Sequence, residues 1–151
     1  MRVLVCGSRR WVDREALRRE LAALPEGSLI IHGDNGYDAR GRPLWGEPDE
    51  LAARGADKLA GALAAELGFE VLRFSPDWHV HGRKAGPIRN TQMLAEGQPE
   101  LVIACASDLS RSSGVADLVR KAERAGVPVR RLRGGEVRST AGPGTTGCLD
   151  L

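Results

Sequence analysis

The chain has 151 residues, 42% hydrophobic and 28% charged, with a formal net charge of +2. That length supports one domain with its own core, and the balance is that of a globular chain rather than a disordered one. No apolar run reaches the roughly 18 residues of a membrane span. The small charge, with basic residues spread along the chain, argues against nucleic acid as the partner. Cys6, Cys105 and Cys148 are far apart and form no CxxC pair. Reduced thiols are therefore expected, not a disulfide framework or a zinc site. Met1-Arg2 leads straight into a strand-like run with no secretory leader, so a cytoplasmic location is expected.

Arg2 to Cys6 is a short β-branched run ending at Gly7-Ser8, a first strand meeting a tight turn. Asp13 is placed to cap a helix whose apolar positions are Leu17, Leu21 and Leu24, closed by Pro25 and Gly27. Ser28 to His32 reads as the second strand, with His32 a satisfied polar residue at its end. Residues 34–54 are rich in glycine, proline and charge without periodicity. A connection that long predicts an inserted surface loop able to cover a site. Ala56, Leu59, Ala60, Leu63, Ala64 and Leu67 then form a helical stripe, with Gly68 where a C-terminal glycine belongs. Phe69 to Phe74 is the third strand, and Ser75 to Ala85 a loop. Pro87 suits the first position of a helix running towards Glu96. Leu101 to Ala106 is the fourth strand; Val115, Leu118, Val119 and Ala122 mark a helix closed by Gly126; Val127 to Leu132 is the fifth strand. Residues 133–151 are rich in Gly, Ser and Thr and are expected to be a flexible tail after a domain spanning 1–132.

Strands alternating with helices predict an α/β fold: a Rossmann-like three-layer sandwich around a mostly parallel sheet of five or more strands. Ligands of such folds sit outside the carboxyl ends of the strands, where the strand order reverses. The segments that follow the strands are thus the candidate site. Gly7-Ser8-Arg9 can offer backbone N–H groups, a hydroxyl and a guanidinium to an anion, or be an ordinary turn. Gly33 follows the second strand in the same way. Arg89 in the first turn of its helix runs against the helix dipole unless an anion is recruited or a carboxylate such as Asp77 pairs with it. Ser112-Ser113-Gly114 can wrap a phosphate, and Asp117 either faces that ligand or complements the dipole. Trp78 is placed to stack on a base or to anchor its loop. Asp57 caps or orients a neighbouring loop. His79 and His81 have metal-pair spacing but no third ligand, so neither a metal nor a cofactor is expected.

The segments VLVCGSRRW, IIHG, RGADKLA, DWHVHGRKAGPIRNTQM and LVIACASDLSRSSGVADLVRKAERAGVPV together resemble the YspA-like DUF2493 branch of the SLOG superfamily, over about residues 2–132. The resemblance implies binding or sensing of a nucleotide or nucleotide-derived ligand, such as a mononucleotide or an NAD- or ADP-ribose-like molecule. Gly7, Ser8, Arg9, Gly33, Arg89, Asn90, Ser113 and Gly114 would hold phosphate and ribose. Asp57 and Asp117 would accept from ribose hydroxyls, and Trp78 would stack on the base. An alternative is the LOG-type phosphoribohydrolase, with Asp117 and Arg89 catalytic. Arg89 and Met93 match that family's Arg-Lys-x-x-Met run, with Asn90 in place of lysine. Gly114 and Asp117 match its Gly-Gly-x-Gly-Thr-x-Glu run, with Ser112, Val115 and the shorter Asp117 departing from it. Single-stranded nucleic-acid binding, as in DprA, is a second alternative. The family also implies a homodimer.

Overall fold

The short β-branched and leucine-rich runs all become strands of one parallel sheet. In the computed structural model, which describes residues 1–137, they are β1 (Arg2–Gly7), β2 (Leu29–His32), β3 (Glu70–Arg73), β4 (Leu101–Cys105) and β5 (Val129–Leu132). Their spatial order is β3-β2-β1-β4-β5. Val3 at the sheet's centre lies beside Ile30 on one side and Leu101 on the other. The α/β expectation therefore holds, with every strand pair parallel.

Alternation along the strands sends side chains to two separate cores. Val3, Val5, Ile30 and Ile103 pack against Leu17 and Leu21 of α1 (Arg14–Ala22) and Leu59 and Leu63 of α2 (Ala56–Glu66). Leu4, Cys6, Ile31, Val102 and Ala104 pack against Met93 of α4 (Ala85–Gly97) and Val115, Leu118 and Ala122 of α5 (Ser113–Arg124). Local signals start and stop these helices as expected. The Asp13 side chain accepts from the Ala16 N–H at 2.9 Å, and Gly68 takes φ 80° just past α2.

Several boundaries differ from the sequence reading. Ser28, Phe69, Phe74, Ala106, Val127 and Pro128 fall outside the strands, because only the pairing stretch is regular. Helix α4 starts at Ala85, so Pro87 is its third residue, where a missing N–H is still harmless because first-turn N–H groups have no acceptor within the helix. The segment before it is not plain loop. It holds α3 (Trp78–His81), capped by Asp77, which accepts from the Val80 N–H at 3.0 Å, and a 3₁₀ turn at Gly82–Lys84.

The start of the expected tail is docked. The Gly135 carbonyl accepts from the Val12 N–H at 2.8 Å, and the Val137 N–H donates to the Arg10 carbonyl at 2.8 Å. The Glu136 carboxylate accepts from the Ser107 N–H and hydroxyl, both at 2.8 Å. A side chain at Gly135 would lie 2.5 Å from the Trp11 ring, so glycine permits this approach. Residues 138–151, with Cys148, lie outside the described residues.

Candidate functional site

The strand order reverses at β1 and β4: the chain builds outward through β2 and β3, then crosses back to the other side of β1. A cavity of about 560 Å³ opens at the carboxyl end of β1, between the first turns of α4 and α5. This is where the topology rule places ligands.

Of the turn after β1, Gly7 and Arg9 line the cavity. A Cβ on Gly7 would stand 2.5 Å from the Cys105 carbonyl and 2.6 Å from Ala56, so the packing of β4 and α2 demands glycine there. Ser8 turns away. Its hydroxyl accepts from the Arg10 N–H at 3.0 Å, and it lines a separate hollow of about 260 Å³ beside Ser107 and Glu136. Arg9 is half-buried and has no hydrogen bond or ion pair among the described residues.

Arg89 and Asn90 are buried in the cavity wall, 6% and 2% exposed. Arg89 Nη1 donates to the Gly33 carbonyl, and its Nε donates to Asn90 Oδ1 at 3.0 Å. Asp77 is not its partner. Arg89 Nη2 has no partner among the described residues. Burial is the main pressure against the Arg89 charge; Asp57 sustains it, and the like charge of Arg9 adds to the pressure. Gly33 seats this guanidinium rather than facing the cavity, since a Cβ there would lie 2.6 Å from Nη1. The Asn90 amide donates to the Gly114 carbonyl at 3.0 Å and to Asp117 Oδ2 at 3.1 Å. Asn90 thus joins α4 to the first turn of α5.

The two carboxyls of the cavity differ. Asp117 also meets Lys121 Nζ at 2.9 Å and Arg120 Nη2 at 3.2 Å. Burial would raise its pKa, yet the bonds from Lys121 and Asn90 and the charges of Lys121 and Arg120 hold it below the usual carboxylate range. Asp57 is 4% exposed, and its Oδ2 accepts from the Asn35 N–H at 3.2 Å, orienting that loop. Burial pushes the Asp57 carboxyl up, more than the Arg89 charge pulls it down. Asp57 is thus the carboxyl whose proton affinity is raised, and Asp117 the one whose proton affinity is lowered.

Ser113 and Gly114 lie exposed on the α5 side of the cavity, and nothing stands within 4 Å of where a Gly114 Cβ would be. Trp78 forms part of the wall. Its Nε1 is buried without an acceptor among the described residues. His79 and His81 are exposed on α3.

Four polar lining residues are not singled out by the sequence: Asn35, Arg83, Arg111 and Arg120. Arg83 and Arg111 lie in segments that follow strands, the one feature of the sequence that points to them. An ionic cluster beneath the 34–54 loop was missed altogether. Lys58 is fully buried and donates to Asp34 Oδ1 at 2.6 Å, to the Glu47 carbonyl at 2.6 Å and to Asp49 Oδ1 at 3.3 Å. Arg73 reaches Asp49 at 3.1 Å. His32 Nδ1 accepts from the Asp34 N–H at 3.0 Å, so the ring proton sits on Nε2, which donates to Asp49 Oδ2 at 2.9 Å. The one signal was a lysine beside the apolar stripe of α2.

No family model matches the chain. The Gene 61 protein of Mycobacterium phage D29 is 35% identical to it over 137 residues, which cover 85% of this chain and 93% of that protein. The chain belongs to the family of that phage protein. Among solved structures it is similar to E. coli tRNA N6-threonylcarbamoyladenosine dehydratase, TcdA, in complex with AMP, at 15% identity and a TM-score of 0.48 over 91% of this chain. A second structure, TcdA (CsdL), is 16% identical with a TM-score of 0.48. The chain spans about half the length of each, 53%. Among the described residues no helix is long and apolar enough to cross a membrane.

Proposed function

We propose that the chain binds a phosphate-bearing, nucleotide-like small molecule in the crevice at the end of β1, between α4 and α5, as a SLOG-type sensing domain. The observation that carries this reading is the positive charge left uncompensated there. Arg9 lacks an ion pair and presses its charge on Arg89, whose Nη2 is also without a partner. The first turn of the 12-residue α5 opens on the same cavity and adds a set of free N–H groups, opposite Arg89 and Asn90 of α4. Glycine at position 114 leaves open space beside them. An anion would satisfy all these groups together. Titration calorimetry with ribose 5-phosphate, AMP and ADP-ribose against adenosine tests the reading. Phosphate-bearing compounds should bind, adenosine should bind at least tenfold more weakly, and Arg9→Ala should lower phosphate affinity about tenfold, the effect of one charge-assisted contact. Adenosine binding as tightly as AMP would refute it.

One observation favours a second reading, cleavage of an N-glycosidic bond. It is the Asp57 carboxyl in the cavity wall, which burial makes a better proton holder than an ordinary carboxyl. The C1′–N bond would break, water would supply the hydroxyl at C1′, and the leaving base would take its proton from Asp57, which regains one from that water. Asp117, occupied by Lys121, Arg120 and Asn90, suits a positioning role instead. Chromatographic detection of adenine released from AMP, lost in Asp57→Asn, tests it; release persisting in Asp57→Asn removes Asp57 from the chemistry.

A further inference from the structure

We infer that Trp45 and Trp78 form an aromatic corner that selects ligands carrying a flat, nitrogen-containing heteroaromatic ring of nucleobase type. The inference rests on the phosphate-site reading and extends it to the other end of the ligand. The two indole rings are 5.4 Å apart between centroids and tilted by 46°. That spacing leaves no room for a base between them. It suits a ring lying on the face of Trp78 and meeting Trp45 at its edge, the tilted geometry that aromatic groups prefer.

Two further observations support the corner. Trp45 is 39% exposed and lies against Trp78, which forms part of the cavity wall. It is nonetheless held in position. Its neighbour Leu44 is 2% exposed with its N–H donating to the Gly36 carbonyl at 3.0 Å, and the Gly46 N–H donates to the buried Asp34 carboxylate at 2.7 Å. Trp45 Nε1 donates to Asn35 Oδ1 at 2.9 Å, and Asn35 itself lines the cavity. The ring is thus pre-organised, so ligand binding need not order it.

The test compares AMP with ribose 5-phosphate, the same sugar phosphate without the base, by calorimetry on the full chain. In the wild type AMP should bind about tenfold more tightly, as expected of one stacked base. Trp45→Ala should bring the affinity ratio down about threefold or more, and Trp45→Phe should restore most of it. Quenching of indole fluorescence by AMP and not by ribose 5-phosphate reads the same contact without any substitution. Trp11, the third tryptophan, is fully buried in the opposite core and should stay silent. Ribose 5-phosphate binding with no advantage for AMP overturns the corner and leaves the phosphate site standing. An AMP advantage unmoved by Trp45→Ala overturns the part given to Trp45. Binding of neither compound overturns both readings.

Discussion

Replacing Gly114 by alanine should move stability and ligand affinity in opposite directions. Gly114 is the second residue of α5 and has a backbone conformation open to any residue. The space where a Cβ would sit is empty to 4 Å, so alanine meets no clash. Alanine in a helix is worth about 0.5–1 kcal/mol over glycine, with the lower figure apt for a first turn. At this chain size that is a rise in Tm of about 1–3 °C. The same methyl group would stand in the cavity beside the free N–H groups of α5. Displacing a phosphate from one charge-assisted bond costs about 1.5–3 kcal/mol, so affinity should fall by about 10- to 150-fold. Differential scanning fluorimetry reads the first effect, and calorimetry with ribose 5-phosphate the second. A variant that melts earlier would mean that the protein's own packing needs the glycine. A variant that binds ribose 5-phosphate as well as the wild type does would remove the phosphate from the end of α5.

Three other substitutions probe the frame around the site. Lys58→Met leaves Asp34 and Asp49 buried with Arg73 as their remaining cation, and should cost about 3 kcal/mol, the lower end for a broken buried pair; urea denaturation showing a loss below about 1 kcal/mol would contradict the cluster. Asn90→Ala strands Arg89 Nε and frees Gly114 and Asp117 from α4. It should destabilise by about 2 kcal/mol and weaken ribose 5-phosphate binding as well, and full affinity would show that the joint does not shape the site. Asp57 holds its proton to higher pH when folded than the ordinary 3.8. The unfolded chain therefore binds fewer protons in that window, and stability falls as pH rises from 3.8 through the raised folded value. Asp57→Asn should remove this fall and stabilise the protein at neutral pH; Tm measured from pH 4 to 8 showing the wild-type slope in the variant would contradict it.

The alternation of strands and helices was legible because it is local. Each strand is a run of β-branched and apolar residues, and each helix carries its own stripe and stop signal. The parallel sheet and the location of the crevice at the strand ends follow from that order. The roles of individual polar residues were not legible, because their partners are distant in the chain. Ser8 and Arg9 are adjacent in the same turn, yet Arg9 faces the cavity and Ser8 the smaller hollow. Arg89 looked like a phosphate ligand and also carries the Gly33 carbonyl, 56 residues away. Asn90, a mismatch to a motif lysine by sequence, is the hydrogen-bonded joint between two helices.

The 34–54 loop shows the same division most sharply. Its composition announced irregular surface chain, and its tip is indeed exposed. Only packing revealed that Asp34, Asp49 and Lys58 bury their charges beneath it and thereby hold Trp45 beside Trp78. Periodicity reports how one element divides between core and solvent. It carries nothing about which buried charge finds which counter-charge, because that choice is made across 24 residues between Lys58 and Asp34 and is enforced by the cost of leaving either one alone.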